Sequence, residues 1–225
     1  GMGTSADPGH AATFAAGKGQ STAGAWDMDW SWGSDYVPLQ YADFAHWQRN
    51  WLQGEVLQKQ LDYWTRQLSS CNTTLDLPIA KPRPAVQSYS GAHIEFELDA
   101  QISEQLRELS KRQSATLFMT TLAAFNVLLF RYSGQDDINV GSPITNRNRS
   151  DIENIIGFFV NTLVLRTDLS GNPTFSELLA RVKEASLGAF SHQDIPFEKL
   201  LDTVQSERDL SHSPLFQVMF MLQKA

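Results

Sequence analysis

One cysteine, Cys71, stands in the whole chain, which rules out an internal disulfide framework and fits a reducing cytoplasm. No zinc cluster can be built from it. The five histidines, His10, His46, His93, His192 and His212, are all isolated, with no pair at metal-ligand spacing. Positive charge is short: 18 Lys and Arg against 25 Asp and Glu give a net charge of -7, so neither nucleic acid nor an anionic membrane surface is the expected partner. The longest apolar stretch, Leu117 to Phe130, is broken by Thr120, Thr121 and Asn126 and falls short of the roughly 20 residues of a membrane span. The N-terminal residues have no basic start followed by an apolar run, so no secretory signal is read there. A P-loop, a nucleophile elbow and the context of a catalytic triad are also missing.

What remains is globular composition, 42% hydrophobic over 225 residues, enough for one sizeable core. The expected partners are proteins or small molecules. Residues 1 to 25 are Gly, Ala, Ser and Thr-rich without periodicity and are expected to be mobile, with Gly1-Met2 resembling the scar of a cleaved tag. Trp26, Trp30 and Trp32 end that segment; they either dock on the body or mark a contact with another chain. The organisation expected is therefore an N-terminal segment over 1–35 and a folded unit over 36–225.

Between Tyr41 and Leu68 the period becomes helical, with Phe44, Trp47 and Trp51, then Leu57, Leu61, Trp64 and Leu68, on the apolar stripe, and Gly54 dividing two segments. Core packing is the expectation for that stripe. A Pro-bearing loop, Leu77 to Ser90, follows as an extended connection. Ala92 to Leu98 alternates, with Ile94, Phe96 and Leu98 inward and His93 outward, as in a half-exposed strand. Helices are predicted over about 101–112, with Ile102, Leu106 and Leu109 inward, and over 115–132, the latter central and buried. A short strand from Ile138 to Gly141 then leads through Ser142-Pro143 into a basic loop, Asn146-Arg147-Asn148-Arg149, expected to be solvated.

The stretch Ile155 to Arg166 carries apolar residues on both faces of a strand, so both faces should be covered. Asn161 and Thr162 in its middle must find partners if buried. They are either the wall of a site or bonded to neighbouring backbone. Thr174 and Glu177 form a capping box for a helix reaching about Ser191, and His192 to Glu198 breaks that helix and starts another at Pro196, with Asp194 set at the positive end of its dipole. A last strand, Leu215 to Leu222, is again apolar on both faces. Alternating strands and helices indicate an α/β sandwich.

Four segments together resemble the late motifs of the condensation domains of nonribosomal peptide synthetases. They are Tyr41-Ala42-Asp43-Phe44-Ala45 with Trp47; Ile156-Gly157-Phe158-Phe159-Val160-Asn161-Thr162; His192-Gln193-Asp194-Ile195-Pro196-Phe197-Glu198; and Arg208-Asp209-Leu210-Ser211 with Pro214-Leu215. They stand in the family's order, over about 37–223, in the form of its peptide-bond-forming branch; His212 stands where the family commonly has Arg. The resemblance implies a two-layer α/β sandwich, one lobe of a chloramphenicol acetyltransferase-like fold with a mixed sheet covered by helices. It implies amide formation between two carrier-tethered thioesters, with phosphopantetheine on the partner carrier proteins and no cofactor bound directly. The implied partners are peptidyl carrier proteins, neighbouring synthetase domains and the N-terminal lobe of the same domain, with self-association through the lobe-facing surface.

The family's catalytic His-His-x-x-x-Asp-Gly pattern does not occur in this sequence. The resemblance therefore implies a partial C-terminal lobe, inactive alone, or else a noncatalytic module that binds a carrier or another synthetase chain through the Trp26 to Trp32 segment. No catalytic or metal-binding residue is expected. Gly157, Phe159, Asn161, Ser142 and Arg147 are the expected substrate-tunnel residues, with Ser142 at a strand end and Arg147 near the tunnel mouth. Asp43, Trp47, Arg166, His192, Asp194, Pro196, Arg208 and Asp209 are expected to be scaffold, His192 and Asp194 tying down a helix start. A hydrolase built on Cys71 has no supporting motif, since Ser69-Ser70-Cys71-Asn72 reads as a polar connection.

Overall fold

Local sequence sets several of the helix ends in the computed structural model, which describes residues 39–79, 91–204 and 213–223. The helices are α1 Tyr41–Trp51, α2 Gly54–Leu68, α3 Ala100–Arg112, α4 Leu117–Ser133, α5 Phe175–Ser191 and α6 Phe197–Val204. Asp99 caps α3 by accepting from the Ile102 N–H, and Thr116 caps α4 by accepting from the Met119 N–H. Gly134 closes α4 in the left-handed region at φ 70°. The Thr174–Glu177 capping box is present at α5. The helix breaks after Trp51 and α2 starts at Gly54, which lies in the left-handed region at φ 53°, so the division falls at Gly54 as expected.

Two strands, β1 Asp137–Ile144 and β2 Asn161–Asp168, pair antiparallel from Asp137 opposite Asp168 to Ile144 opposite Asn161. On the other side of β1, Gly141 forms a parallel bridge with Met219: its N–H donates to Val218 O at 2.9 Å and its carbonyl accepts from the Phe220 N–H at 2.8 Å. The small sheet is thus mixed. α4 and α5 pack together, α5 against β2 and α4 against β1, while α2 packs on α6. Thr167 of β2 meets Asn126 of α4 at 3.0 Å, and its neighbour Arg166, pointing the opposite way, meets the end of α2. Helices therefore cover β2 on both faces. The main core is built from Trp64, Leu122, Ile138, Val140, Leu163, Leu165, Leu179, Val182, Leu200 and Leu215.

The α/β class, the mixed sheet and its helical cover stand as expected; the strand extents do not. Ala92 to Leu98 is not in a strand, and Ile94, Phe96 and Leu98 are exposed. Alternation shows that a segment can lie half-buried, but a strand also needs a partner edge, which local sequence cannot supply. Ile102 likewise faces solvent, and Leu106 and Leu109 are only half-buried. β1 is longer than predicted and contains Ser142 and Pro143. The stretch expected as one strand from Ile155 begins pairing only at Asn161, and before it Ile156, Phe158 and Val160 are exposed, Ile156 at 96%. Leu215 to Leu222 contributes the one bridge at Met219, with Met219, Met221 and Leu222 exposed. Trp26, Trp30, Trp32, His212, Arg208 and Asp209 lie outside the described residues, as do Pro82 and Pro84 of the proline loop.

Candidate functional site

Three of the four motif segments meet around the start of β2. Asn161, 9% exposed, is its first residue and points away from the sheet toward the junction between α5 and α6. Its amide Nδ2 donates to Gln193 O at 3.0 Å and to Ile195 O at 2.8 Å, and its Oδ1 accepts from the Phe197 N–H at 3.0 Å. Phe197 is the first residue of α6, so Asn161 supplies from 36 residues away an acceptor for one of the first-turn N–H groups that have no partner within the helix. Both amide hydrogens and the oxygen are engaged by backbone. The partners are the backbone of a segment 32 to 36 residues on, not the neighbouring backbone.

Immediately before β2, the chain lies on α1. Tyr41 donates its hydroxyl to Phe158 O at 2.9 Å, and its ring meets Phe159 edge-on at 5.1 Å. Phe159 is buried with Phe44, Ile152 and Ile155. Gly157 permits this approach: a Cβ there would lie 2.3 Å from Tyr41 Cδ2. Gly157→Ala should therefore push the Tyr41 ring off the Phe158 carbonyl and cost about 1 to 3 kcal/mol, read as a lower urea midpoint at unchanged slope. Asp43 closes a capping box at α1, its carboxylate accepting from the Gln40 N–H at 2.9 Å, and Trp47 stacks on Trp51 at 5.1 Å.

Arg147 holds the loop between the strands. Its guanidinium donates to the carbonyls of Ile152, Glu153 and Ile155 and lies 4.1 Å above the Phe159 ring. For Arg147 the expectation of a solvated loop is corrected, because the apolar cluster of Phe159 and Ile155 draws the arginine in and the otherwise orphan carbonyls bind it; Asn148 is exposed as expected. Ser142, expected at a strand end, is instead buried inside β1 opposite Leu163.

The α5–α6 junction is fastened to α2. The Trp64 indole N–H donates to His192 O at 2.7 Å, Gln60 Nε2 donates to Asp194 Oδ2 at 2.9 Å, and the His192 ring stacks on Tyr63 at 4.0 Å and 2°. Since a carbonyl only accepts, the 2.8 Å contact of His192 Nδ1 with Gly188 O places a proton on Nδ1. Burial pushes the Tyr63 phenol up to about 12 and raises the Asp194 carboxyl above its ordinary value. His192 and Asp194 thus do tie down a segment, but to α2; the α6 start itself is held by Asn161, with Pro196 O accepting from the Leu200 N–H. The sequence does not single out Gln60, Tyr63 or Trp64 for this role. Gln60 carries a signal, a polar residue beside the apolar stripe of α2.

Arg166 forms a two-pronged ion pair with Asp137, at 2.8 and 3.0 Å, and donates to Gln67 O and Ser69 O, both at 2.9 Å. The Asp137 hydrogen bonds raise the arginine further above its ordinary value. With Arg66, Gln67 and Asp168 this pair borders a cleft of about 310 Å³. All of the Arg166 contacts bind one chain segment to another. Among the described residues no cluster of His, Cys, Asp or Glu is arranged for a metal, and no single helix is long and apolar enough to cross a membrane. Cys71 is half-buried and packs on the main core.

Comparison with known proteins agrees with the motif pattern. A family model described as "Condensation domain" matches residues 34–225. The chain is 60% identical over 187 residues to one of the linear gramicidin synthase proteins of Brevibacillus parabrevis, covering 83% of this chain and 4% of that protein. It is 51% identical over 185 residues to malpinin synthetase of Mortierella alpina, covering 82% and 2%. The chain thus spans only a small part of the length of these curated relatives. Among solved structures, the X-domain from teicoplanin biosynthesis superposes with a TM-score of 0.77 at 32% identity, covering 83% of this chain and 43% of that one. A four-domain nonribosomal peptide synthetase bound to AMP and glycine gives 0.75 at 25% identity, covering 84% and 14%.

Proposed function

Because the chain belongs to the condensation-domain family, we propose that it works as part of a nonribosomal peptide synthetase, supplying one lobe of the domain that joins two carrier-tethered substrates. In that reaction the acceptor amine adds to the carbonyl of the donor thioester. A C–N bond forms as the C–S bond breaks, and the donor's phosphopantetheine thiol leaves with the proton. Such chemistry needs an oriented amine, a proton acceptor and donors for the developing oxyanion.

The observation that carries the reading is the meeting of three motif segments at Asn161, Gly157 and Tyr41. We assign Asn161 and Arg147 as positioning residues: their polar atoms hold backbone, and they shape the wall that Gly157, Phe159 and Ser142 belong to in the proposed tunnel. No group among them is offered as the base. His192 has its Nδ1 proton on Gly188 O and its ring against Tyr63, which supports a structural role. The residues that act on the reacting atoms belong, in this proposal, to a His-His-x-x-x-Asp-Gly segment outside these 225 residues. The setting proposed is cytoplasmic, with carrier proteins and neighbouring synthetase domains as partners.

A second reading, a noncatalytic docking module, draws support from two observations. Ile156, Phe158 and Val160 present an exposed apolar row, and the chain is 34% identical to an X-domain solved in complex with OxyB, at a TM-score of 0.76. One assay separates the two. Two carrier proteins bearing aminoacyl thioesters are mixed with the chain, with and without a matching N-terminal half that contains the histidine motif, and amide product is followed by mass spectrometry. No product from the chain alone and product from the mixture is the expected result. Product from the chain alone would overturn the assignment of chemistry to the other half. Carrier binding without product in the mixture would favour the docking module.

A further inference from the structure

The Gln60–Asp194 contact leaves one polar atom stranded. Gln60 is buried on α2, and its Nε2 donates to Asp194 Oδ2 at 2.9 Å across the α2 to α5–α6 junction. Its Oε1 is buried with no hydrogen-bond partner. An ionised carboxylate only accepts, so it can take the amide hydrogen and do nothing for the amide oxygen. Turning the amide over would set that oxygen against a carboxylate oxygen and strand the nitrogen instead. A protonated carboxyl changes the count: one oxygen accepts from Nε2 while the other, carrying the proton, donates to Oε1.

We propose that Asp194 is held as a neutral acid paired in a two-bond ring with the Gln60 amide, making the α2 to α5–α6 fastening a proton-linked latch. The pairing goes beyond the proposed function and does not depend on it. Asp194 lies between Gln193 and Ile195, whose carbonyls receive the Asn161 amide, so loss of the proton acts directly on the seat of Asn161. The surrounding charges do not cancel this. Burial is the largest effect and raises the carboxyl; the Gln60 hydrogen bond and, after it, His192 favour the carboxylate without reversing that direction, and the positive end of α6 acts on their side. Tyr63 of α2, stacked on His192, is held neutral by its own burial, with Arg66 of α2 and Glu184 of α5 acting on it in opposite directions.

The sign of the linkage follows from a carboxyl that binds its proton more tightly folded than unfolded. The stabilisation is fully present below the unfolded value, near 3.9, and is lost as pH rises through the folded one. Asp194→Asn fixes the neutral pairing, since the new amide can donate to Oε1 and accept from Nε2. Melting is followed against pH for the 225-residue protein and for this variant. The variant should melt higher at neutral pH, by about 2 to 4 °C, and the gap should close as pH falls toward 4. A variant that melts lower at neutral pH, or a gap that does not change with pH, would overturn the proposal. Carbon-13 side-chain NMR of the unmodified protein gives a reading independent of any variant's folding. The Asp194 carboxyl should titrate above the exposed aspartates, and a midpoint at or below theirs would equally overturn it.

Discussion

Asn161→Ala should lower unfolding free energy by about 3 kcal/mol in urea titrations, a large loss for one polar side chain. The substitution strands the carbonyls of Gln193 and Ile195 and the Phe197 N–H together, and Ile195 is 2% exposed, so water reaches that carbonyl poorly. Each buried group left without a partner costs about 1 to 3 kcal/mol, and partial rehydration of the Gln193 carbonyl keeps the sum toward the lower end. Asn161→Asp is expected to be at least as damaging. Its carboxylate can still accept from Phe197, but its second oxygen then faces two carbonyl oxygens where the amide donated. A loss under about 0.5 kcal/mol for Asn161→Ala would mean that the junction is held by something else.

The second large effect is expected at Arg147, where truncation to Ala should cost about 2 kcal/mol and open the loop between β1 and β2. Three carbonyls lose their common donor at once, and the Phe159 ring loses the guanidinium above it. Arg147→Lys should recover less than half, because a compact ammonium cannot span three carbonyls that a planar fork reaches together. Chymotrypsin digestion reads the same event locally: cleavage after Phe158 and Phe159 should rise at least several-fold in Arg147→Ala. Unchanged cleavage there, with stability intact, would make the arginine the solvated surface residue that its basic loop suggests.

What can be read in the chain and what cannot divides along the reach of the interactions. Helices are legible because their determinants are within four residues: Asp99, Thr116 and the Thr174–Glu177 box mark starts, and Gly134 marks a stop. The sheet is legible only as a set of apolar segments. Whether Ala92 to Leu98 pairs, or where β1 stops, depends on a partner strand at any distance, and Pro143 lies within the paired stretch opposite Thr162 although proline by itself suggests a terminus. The site shows the same divide. Gly157, Phe159 and Asn161 can be picked out as a group through the family resemblance, but the partners that define them are 32 to 36 residues on for Asn161 and 117 residues back for the Phe158 carbonyl. Tunnel-facing chemistry and backbone fastening demand the same residue type, an amide at a strand start, so composition alone cannot choose between them.

Asn161 fastens the start of β2 to the first turn of α6, and the amide of Phe197 reports on that fastening without any mutation. Hydrogen exchange should find that N–H protected to the level of the β1–β2 ladder amides, since its acceptor is an inward side chain on the strand itself. Exchange at the rate of an open first-turn amide, with the ladder still protected, would contradict the account.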